Sequence, residues 1–460
     1  MRPLGTLMRA FAGPRPVEAQ PRATAIRTVT LLAAAWLTSC DASSNLVGGT
    51  TRAEQSAPSA ASGDPIKIGV IEPLTGPLAN VGKDVVDGFK LYFSLAGQTA
   101  AGRKIEPIVA DSQGQADVGL TKAQQLVASG AEVLTGITAT PVCYAIAGYA
   151  GQAHIPLVVT GGCAAQGLTT DPRFASPYLV RLAVTSTELG GPPADWAYRQ
   201  GYRRAIIVVS DYGGGLEVAD AFARAFMERG GAIVQEMYPT LGTADFGPFA
   251  ARLDPSADVL FTVLGGMDGQ RFLDQYGSYA GDHRPPIIDG LGSMTDGPNF
   301  GQLQAKALGV VGANLYSEAV DSPQNRAFLT AFHRRYPGRY VSGNVALGYT
   351  GAQVLAAAIE RVHGNVEQGQ AFLGALYDTS LVTARGPLRL NHDHDVVQDI
   401  YLFQVDQGKG GFGPKLLQTY TDVGPAWDSN PSAVARFPFG HLKGQWVGMT
   451  KERLGQLSSG

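Results

Sequence analysis

Few residues of this 460-residue chain are spaced for chemistry, and each candidate group departs from the pattern its chemistry needs. Gly76-Pro77-Leu78-Ala79-Asn80-Val81-Gly82-Lys83-Asp84 follows an apolar run and nearly spells a phosphate-binding loop. Its glycines are one residue too far apart, and Asp84 stands where a magnesium-binding Ser or Thr is required. Gly213-Gly214-Gly215, with Glu236 downstream, imitates a dinucleotide fingerprint, but Val218 takes the place of the third glycine. His392-Asp393-His394-Asp395 offers imidazole and carboxylate ligands, yet it falls between two expected strands, where a polar turn is the simpler reading. Neither H-E-x-x-H nor G-x-S-x-G occurs, and no nucleophile is assembled with a base. These residues favour binding over catalysis, with no cofactor and no metal expected.

Such groups must be positioned by an alternating pattern of strands and helices. Ile66–Ile71 reads as a strand, Val81–Leu95 as a helix, Ile105–Ala110 as a strand and Gly119–Ser129 as a helix. Glu132–Thr135 and Ile155–Thr160 are strands around a further helix. After Thr185 the pattern restarts, with strands at Arg204–Val209, Ala232–Val234 and Val259–Val263. Continuous apolar strands separated by helices predict parallel sheets covered on both faces. Two such runs predict an α/β fold of two doubly wound parallel-sheet lobes, with ligands held beyond the carboxyl ends of the strands. Arg385–Leu390 and Asp399–Val405 read as short antiparallel strands, and no period is visible beyond about Pro425.

Composition narrows the class. Apolar residues are 45% and charged residues 16% of the chain, the latter below the roughly 25% of average soluble domains, which excludes disorder and coiled coil. Glycine (59) and proline (28) are abundant without a collagen period and signal many tight turns. The net charge of −3 comes without a Lys/Arg block, so no nucleic-acid partner is expected. Three cysteines without a C-x-x-C exclude a disulfide-dense scaffold and a zinc ribbon.

No apolar run is long enough to span a membrane. Residues 1–39 have the form of a secretory signal: Arg2, Arg9, Arg15, Arg22 and Arg27 precede the apolar stretch Leu31–Leu37. Leu37-Thr38-Ser39-Cys40 resembles a bacterial lipobox, which implies that Cys40 carries a lipid anchor. Residues 40–64, rich in Ser, Ala, Gly and Thr, read as a flexible tether. The expected location is outside the cytoplasm, anchored to a membrane.

Five segments in order, Ile68–Gly88, Glu132–Val142, Ile155–Gly162, Ser210–Leu216 and Gly338–Thr350, resemble the type I periplasmic binding proteins. The nearest group is the leucine/isoleucine/valine-binding family of ABC-importer receptors, and the likeness runs from about Ile66 to Val405. It implies two lobes joined by a multi-strand hinge: residues 65–183 and 318–390 in the first, 184–317 and 391–460 in the second, with an irregular C-terminal tail. It also implies a monomeric receptor that closes on a small carboxylate-bearing molecule and presents it to a membrane permease.

The same likeness puts Thr140 on the hydroxyl that grips the ligand carboxylate, and Cys163 and Ala164 on the second gripping loop, where Ala164 lacks the family's hydroxyl. Tyr212 matches the aromatic that closes from the second lobe, while Val81, Leu264 and Asn344 line the cleft. Leu291 stands where amino-acid receptors present an acid to the ammonium, so Asp268 or Asp289 must substitute if the ligand has an amine. If neither faces the ligand, amine-free acids or amides fit better. Cys143 and Cys163, at the ends of successive strands in an exported protein, are expected to form a disulfide. Two rivals remain open: a nucleotide-binding α/β enzyme using the Gly213 region, and a ligand-sensing lipoprotein not coupled to transport.

Overall fold

The two runs of apolar strands become two separate sheets. The computed structural model describes residues 63–280 and 284–459; the expected signal segment, Cys40 and nearly all of the tether lie outside the described residues. The first sheet contains β1 (Ile66–Glu72), β2 (Thr99–Ala100), β3 (Arg103–Asp111), β4 (Val133–Gly136), β5 (Leu157–Val159) and β6 (Leu179–Arg181). Their order is β2-β3-β1-β4-β5-β6, all parallel except the β2–β3 edge pair. β1 is buried at every position except Lys67, as a central strand covered by helices on both faces must be.

The second sheet holds β7 (Arg204–Val209), β8 (Ala232–Met237), β9 (Val259–Val263), β10 (Ile287–Asp289), β11 (Val311–Asn314), β12 (Ser380–Thr383), β13 (Gly386–Leu390), β14 (Val396–Gly408) and β15 (Gly411–Val423). Its order is β12-β13-β14-β11-β10-β9-β7-β8, with β15 also paired to β14. β7 to β11 form the parallel part, and β14 joins them antiparallel through β11. Among the described residues no helix is long and apolar enough to cross a membrane.

The late chain differs from the sequence reading in two places. Residues 318–390 were expected in the first lobe. Their helices Gly343–Arg361 and Gly369–Tyr377 do pack there, the former against Ala79–Leu95. β12 and β13, however, hydrogen-bond to β14 and so belong to the second sheet. A hairpin partner close in sequence captures a strand more readily than a distant sheet, although Leu388 and Val396 still face the first lobe's core. The second difference is a strand that the sequence reading lacks, β15, which doubles back on β14; the irregular tail beyond it, through Pro431–Arg436 and Lys451–Ser459, covers the second lobe. Its apolar residues Phe437, Phe439, Leu442, Trp446 and Met449 are spaced irregularly because turns, not one long helix, present them.

His392–Asp395 forms the β13–β14 turn. Asp395 pairs with Arg181, His394 stacks on Tyr377 at 3.7 Å, and no metal-ligand cluster exists among the described residues. Cys143 and Cys163 are joined by a disulfide with Cα atoms 6.5 Å apart. In the protein isolated without reductant, neither should react with an alkylating agent, as read by intact mass. Replacing both with serine is expected to cost about 3 kcal/mol by loop-closure arithmetic; two alkylatable thiols in the native protein would refute the bond.

Candidate ligand-binding cleft

Between the lobes lies a cavity of about 100 Å³. It is formed where the carboxyl ends of the strands open into helix-starting loops, the place that doubly wound sheets reserve for ligands. Away from its lining the two lobes also touch. The Tyr144 hydroxyl donates to Glu217 Oε1 at 3.3 Å and the Gln166 amide to Glu217 Oε2 at 2.6 Å.

The apolar part of the wall is aliphatic, with Leu78, Val81, Val184, Leu264, Leu291 and Leu347, joined by Tyr212 from the second lobe, and polar side chains fill the rest. Burial, with Asp268's charge, holds the Tyr212 phenol protonated. Among the described residues no His, Cys, Lys or Arg lines the cavity, so an anion there is met by hydroxyls, asparagine amides and backbone N–H groups. Thr138 and Gly162 supply one such end. The Gly162 amide donates to Thr138 Oγ1 at 3.3 Å, and the Asn344 side chain lies beside Gly162. Ile137, immediately before Thr138, is held at φ 76°. A β-branched residue rarely adopts this region, and such strain collects at functional sites.

The other polar patch is acidic. Asp84 accepts from Arg339 Nη2 at 2.8 Å and from Ser342 Oγ at 2.6 Å. Burial nevertheless pushes its carboxyl up to about 6, against the pull of Ser342 and Arg339. Asp296 Oδ2 accepts from the Gly343 amide at 2.7 Å and from Asn314 Nδ2 at 3.2 Å. Burial raises its pKa as well, the Gly343 amide opposing while Asp84 and Glu318 add to the rise. Asn80, whose amide reaches toward Asn299 of the facing lobe at 3.5 Å, leaves its buried Oδ1 without a partner among the described residues. This end therefore offers acceptors, or neutral acids, to a ligand group that can donate.

Of the residues expected from sequence, Val81, Tyr212, Leu264, Leu291 and Asn344 line the cavity. Five others lie outside its lining. Thr140 is buried beside Gly214 of the opposite lobe, and the hydroxyl that reaches the cavity is Thr138, two residues earlier. Cys163 turns inward to Cys143, which leaves Gly162 at the lining. Ala164 is core, its carbonyl accepting from the Ser186 amide.

Asp268 is consumed by Ser210 Oγ at 2.7 Å and the Gly242 amide at 3.0 Å. Asp289 is consumed by the Met294 and Thr295 amides and the Thr295 hydroxyl. Both acids tie their own loops together and have no oxygen to spare for a ligand. Asp84 and Asp296 were not anticipated from sequence. Asp84 was visible only as the residue that spoils a phosphate loop, and nothing local marks Asp296. The Gly213 run opens the helix Gly213–Glu228 against Thr140 across the lobe boundary.

The family described as periplasmic binding protein matches residues 65–411. Leu/Ile/Val-binding protein homolog 6 of Brucella melitensis biotype 1 is 30% identical over 376 residues, covering 80% of this chain and 95% of that protein. An ABC transporter substrate-binding protein from Sphaerobacter thermophilus is 33% identical, with a TM-score of 0.73 over 78% of this chain and 98% of that one. A solute binding protein of an ABC transporter from Rhodopseudomonas palustris BisB5, solved in complex with 3,4-dihydroxy benzoic acid, is 29% identical with a TM-score of 0.73 over the same shares. With a two-lobed fold, a cleft built for binding and a match over most of its length, the chain belongs to the periplasmic binding protein family and is a substrate-binding protein, not an enzyme.

Proposed function

We propose that this protein is the monomeric, exported receptor of an ABC importer, held at the membrane through Cys40, and that it closes on a hydroxylated aromatic carboxylic acid for delivery to a permease. The observation that carries the ligand class is the cleft's lining. Aliphatic walls and Tyr212 suit a flat apolar body, the Thr138 hydroxyl suits a carboxylate, and Asn80, Asp84 and Asp296 suit a donating hydroxyl at the far end. Leu291 gives an ammonium no partner where the family's amino-acid receptors provide one. The dihydroxybenzoate held by the Rhodopseudomonas relative agrees with this chemistry. A second reading, a branched-chain amino acid, is favoured by one observation: among the described residues the charged side chains lining the cavity are the carboxyls Asp84 and Asp296.

A thermal-shift screen against hydroxybenzoates, benzoate, leucine, valine and short aliphatic acids tests both. Hydroxybenzoates should raise the melting temperature most, and an exclusive response to leucine or valine would install the second reading. Asp296→Asn separates the two further. A hydroxyl keeps an acceptor in the asparagine, so affinity should fall by no more than about tenfold, the worth of roughly one neutral hydrogen bond. A buried ammonium stripped of its charge partner would lose about 3 kcal/mol or more.

A further inference from the structure

Behind the carboxylate end of the cleft sits an acid with no charge beside it. Glu72 ends β1 fully buried. Two glycines make room for it: a Cβ on Gly161 would fall 2.5 Å from Glu72 Oε1, and one on Gly136, itself at φ 93°, would fall 3.0 Å from it. Oε2 lies 2.5 Å from Thr138 Oγ1, while Oε1 has no hydrogen-bond partner among the described residues. The groups bearing on the carboxyl are the Thr138 hydroxyl and the Ile137 amide, neither of them charged. An ionised carboxylate so enclosed, without a cation, costs several kcal/mol. Burial accordingly pushes Glu72 well above the usual carboxylate range, against the pull of those two groups.

A threonine hydroxyl has one hydrogen and two acceptor sites. Thr138 Oγ1 already accepts from the Gly162 amide, so the state of Glu72 decides where its hydrogen points. An ionised Glu72 takes that hydrogen inward and leaves a lone pair facing the cleft. A neutral Glu72 donates to Oγ1, fills its second acceptor site and turns the Thr138 hydrogen outward.

We propose that Glu72 is a positioning residue held as the neutral acid, whose O–H donates to Thr138 Oγ1 and thereby orients the Thr138 hydroxyl as a donor to the ligand's carboxylate. The inference rests on the carboxylate ligand proposed above, but the state of Glu72 is measurable without any ligand. An infrared difference spectrum between the native protein and Glu72→Gln at neutral pH should contain the carbonyl stretch of one protonated carboxyl group. In Thr138→Val, which leaves Glu72 in place, that band should shift, because its hydrogen-bond acceptor is gone. Absence of the band, or a band that Thr138→Val does not move, overturns the proposal.

Affinity supplies the second readout, using whichever acid the screen identifies. Glu72→Gln should bind within about threefold of the native protein, since its amide N–H replaces the O–H as donor. Thr138→Val should lose about tenfold or more. A tenfold gain in Glu72→Gln would mean that the native residue is ionised and repels the ligand; a tenfold loss would mean that its acidic proton is needed elsewhere. Either result overturns the proposal. If no acid binds at all, the functional reading fails while the infrared band still decides the state of Glu72.

Discussion

Asp395→Ala is expected to destabilise the protein by about 3–5 kcal/mol, the range for stranding one member of a buried ion pair. Arg181 Nε lies 2.5 Å from Asp395 Oδ1 and Nη2 lies 2.8 Å from Oδ2, with both side chains fully buried. The pair joins the end of β6 in the first sheet to the β13–β14 turn attached to the second, where Arg181 also takes part in a backbone bridge. Thr169 Oγ1 completes the carboxylate, and the Ala165 carbonyl accepts from the guanidinium. Removing the carboxylate leaves an enclosed guanidinium without its hydrogen-bonded partner and with only Glu188 acting on it from farther off, which is the expensive outcome; the intact pair need not be stabilising at all.

Chemical denaturation followed by circular dichroism measures the loss as a fall in the midpoint at unchanged slope. The double variant Arg181→Met with Asp395→Leu should recover much of it, because an apolar pair of similar volume removes both desolvation costs. A loss under about 1 kcal/mol in Asp395→Ala would show that water enters the site and solvates Arg181.

Trp446→Ala is expected to cost a similar amount, about 3–5 kcal/mol, the range for emptying a large aromatic site. Trp446 is 1% exposed. It lies in the C-terminal segment beyond the part matched by the family, where sequence periodicity gave no reading. Its ring lies against Phe437 at 6.2 Å, and its Nε1 donates to Asp220 Oδ1 at 2.6 Å. Asp220 Oδ2 accepts from the Gly440 amide at 2.7 Å. Trp446→Phe should cost less than Trp446→Ala, since it keeps most of the apolar volume and loses only the hydrogen bond to Asp220.

Burial pushes the Asp220 carboxyl up to about 7, against the pull of Trp446 and the Gly440 and Leu442 amides. A carboxyl raised in the folded state contributes stability that is complete below its unfolded value near pH 4 and is lost as pH rises through about 7. Asp220→Asn should therefore flatten the stability profile across that window relative to the native protein. Identical profiles would show that Asp220 titrates normally and that the tail sits more loosely on the second lobe.

The sequence was most legible where structure is local. Apolar runs such as Ile206–Val209 and Val259–Val263 have one use in a chain of alternating strands and helices, and periodicity alone placed both central sheets. Segments without an apolar run were harder. β15 reads as a polar stretch because one face is exposed, and only its register with β14 makes it a strand. The tail's aromatics follow turns and have no period to detect.

At the site the same division holds at finer scale. The family resemblance carried by the sequence singled out the loops after β4, β5 and β7, which lie at strand ends as expected of doubly wound sheets, and all three line the cleft. Which residue of each loop faces the cleft follows from the folded backbone. The left-handed turn at Ile137 gives the cleft Thr138 and buries Thr140. The bond to Cys143 draws Cys163 away and leaves Gly162. Asp268 and Asp289 spend their oxygens on their own loops, while Asp84 and Asp296 come from a helix face and a loop far apart in sequence. Sequence fixes the period of an element, but a side chain's direction in a loop depends on single backbone dihedrals and on partners that folding alone brings near.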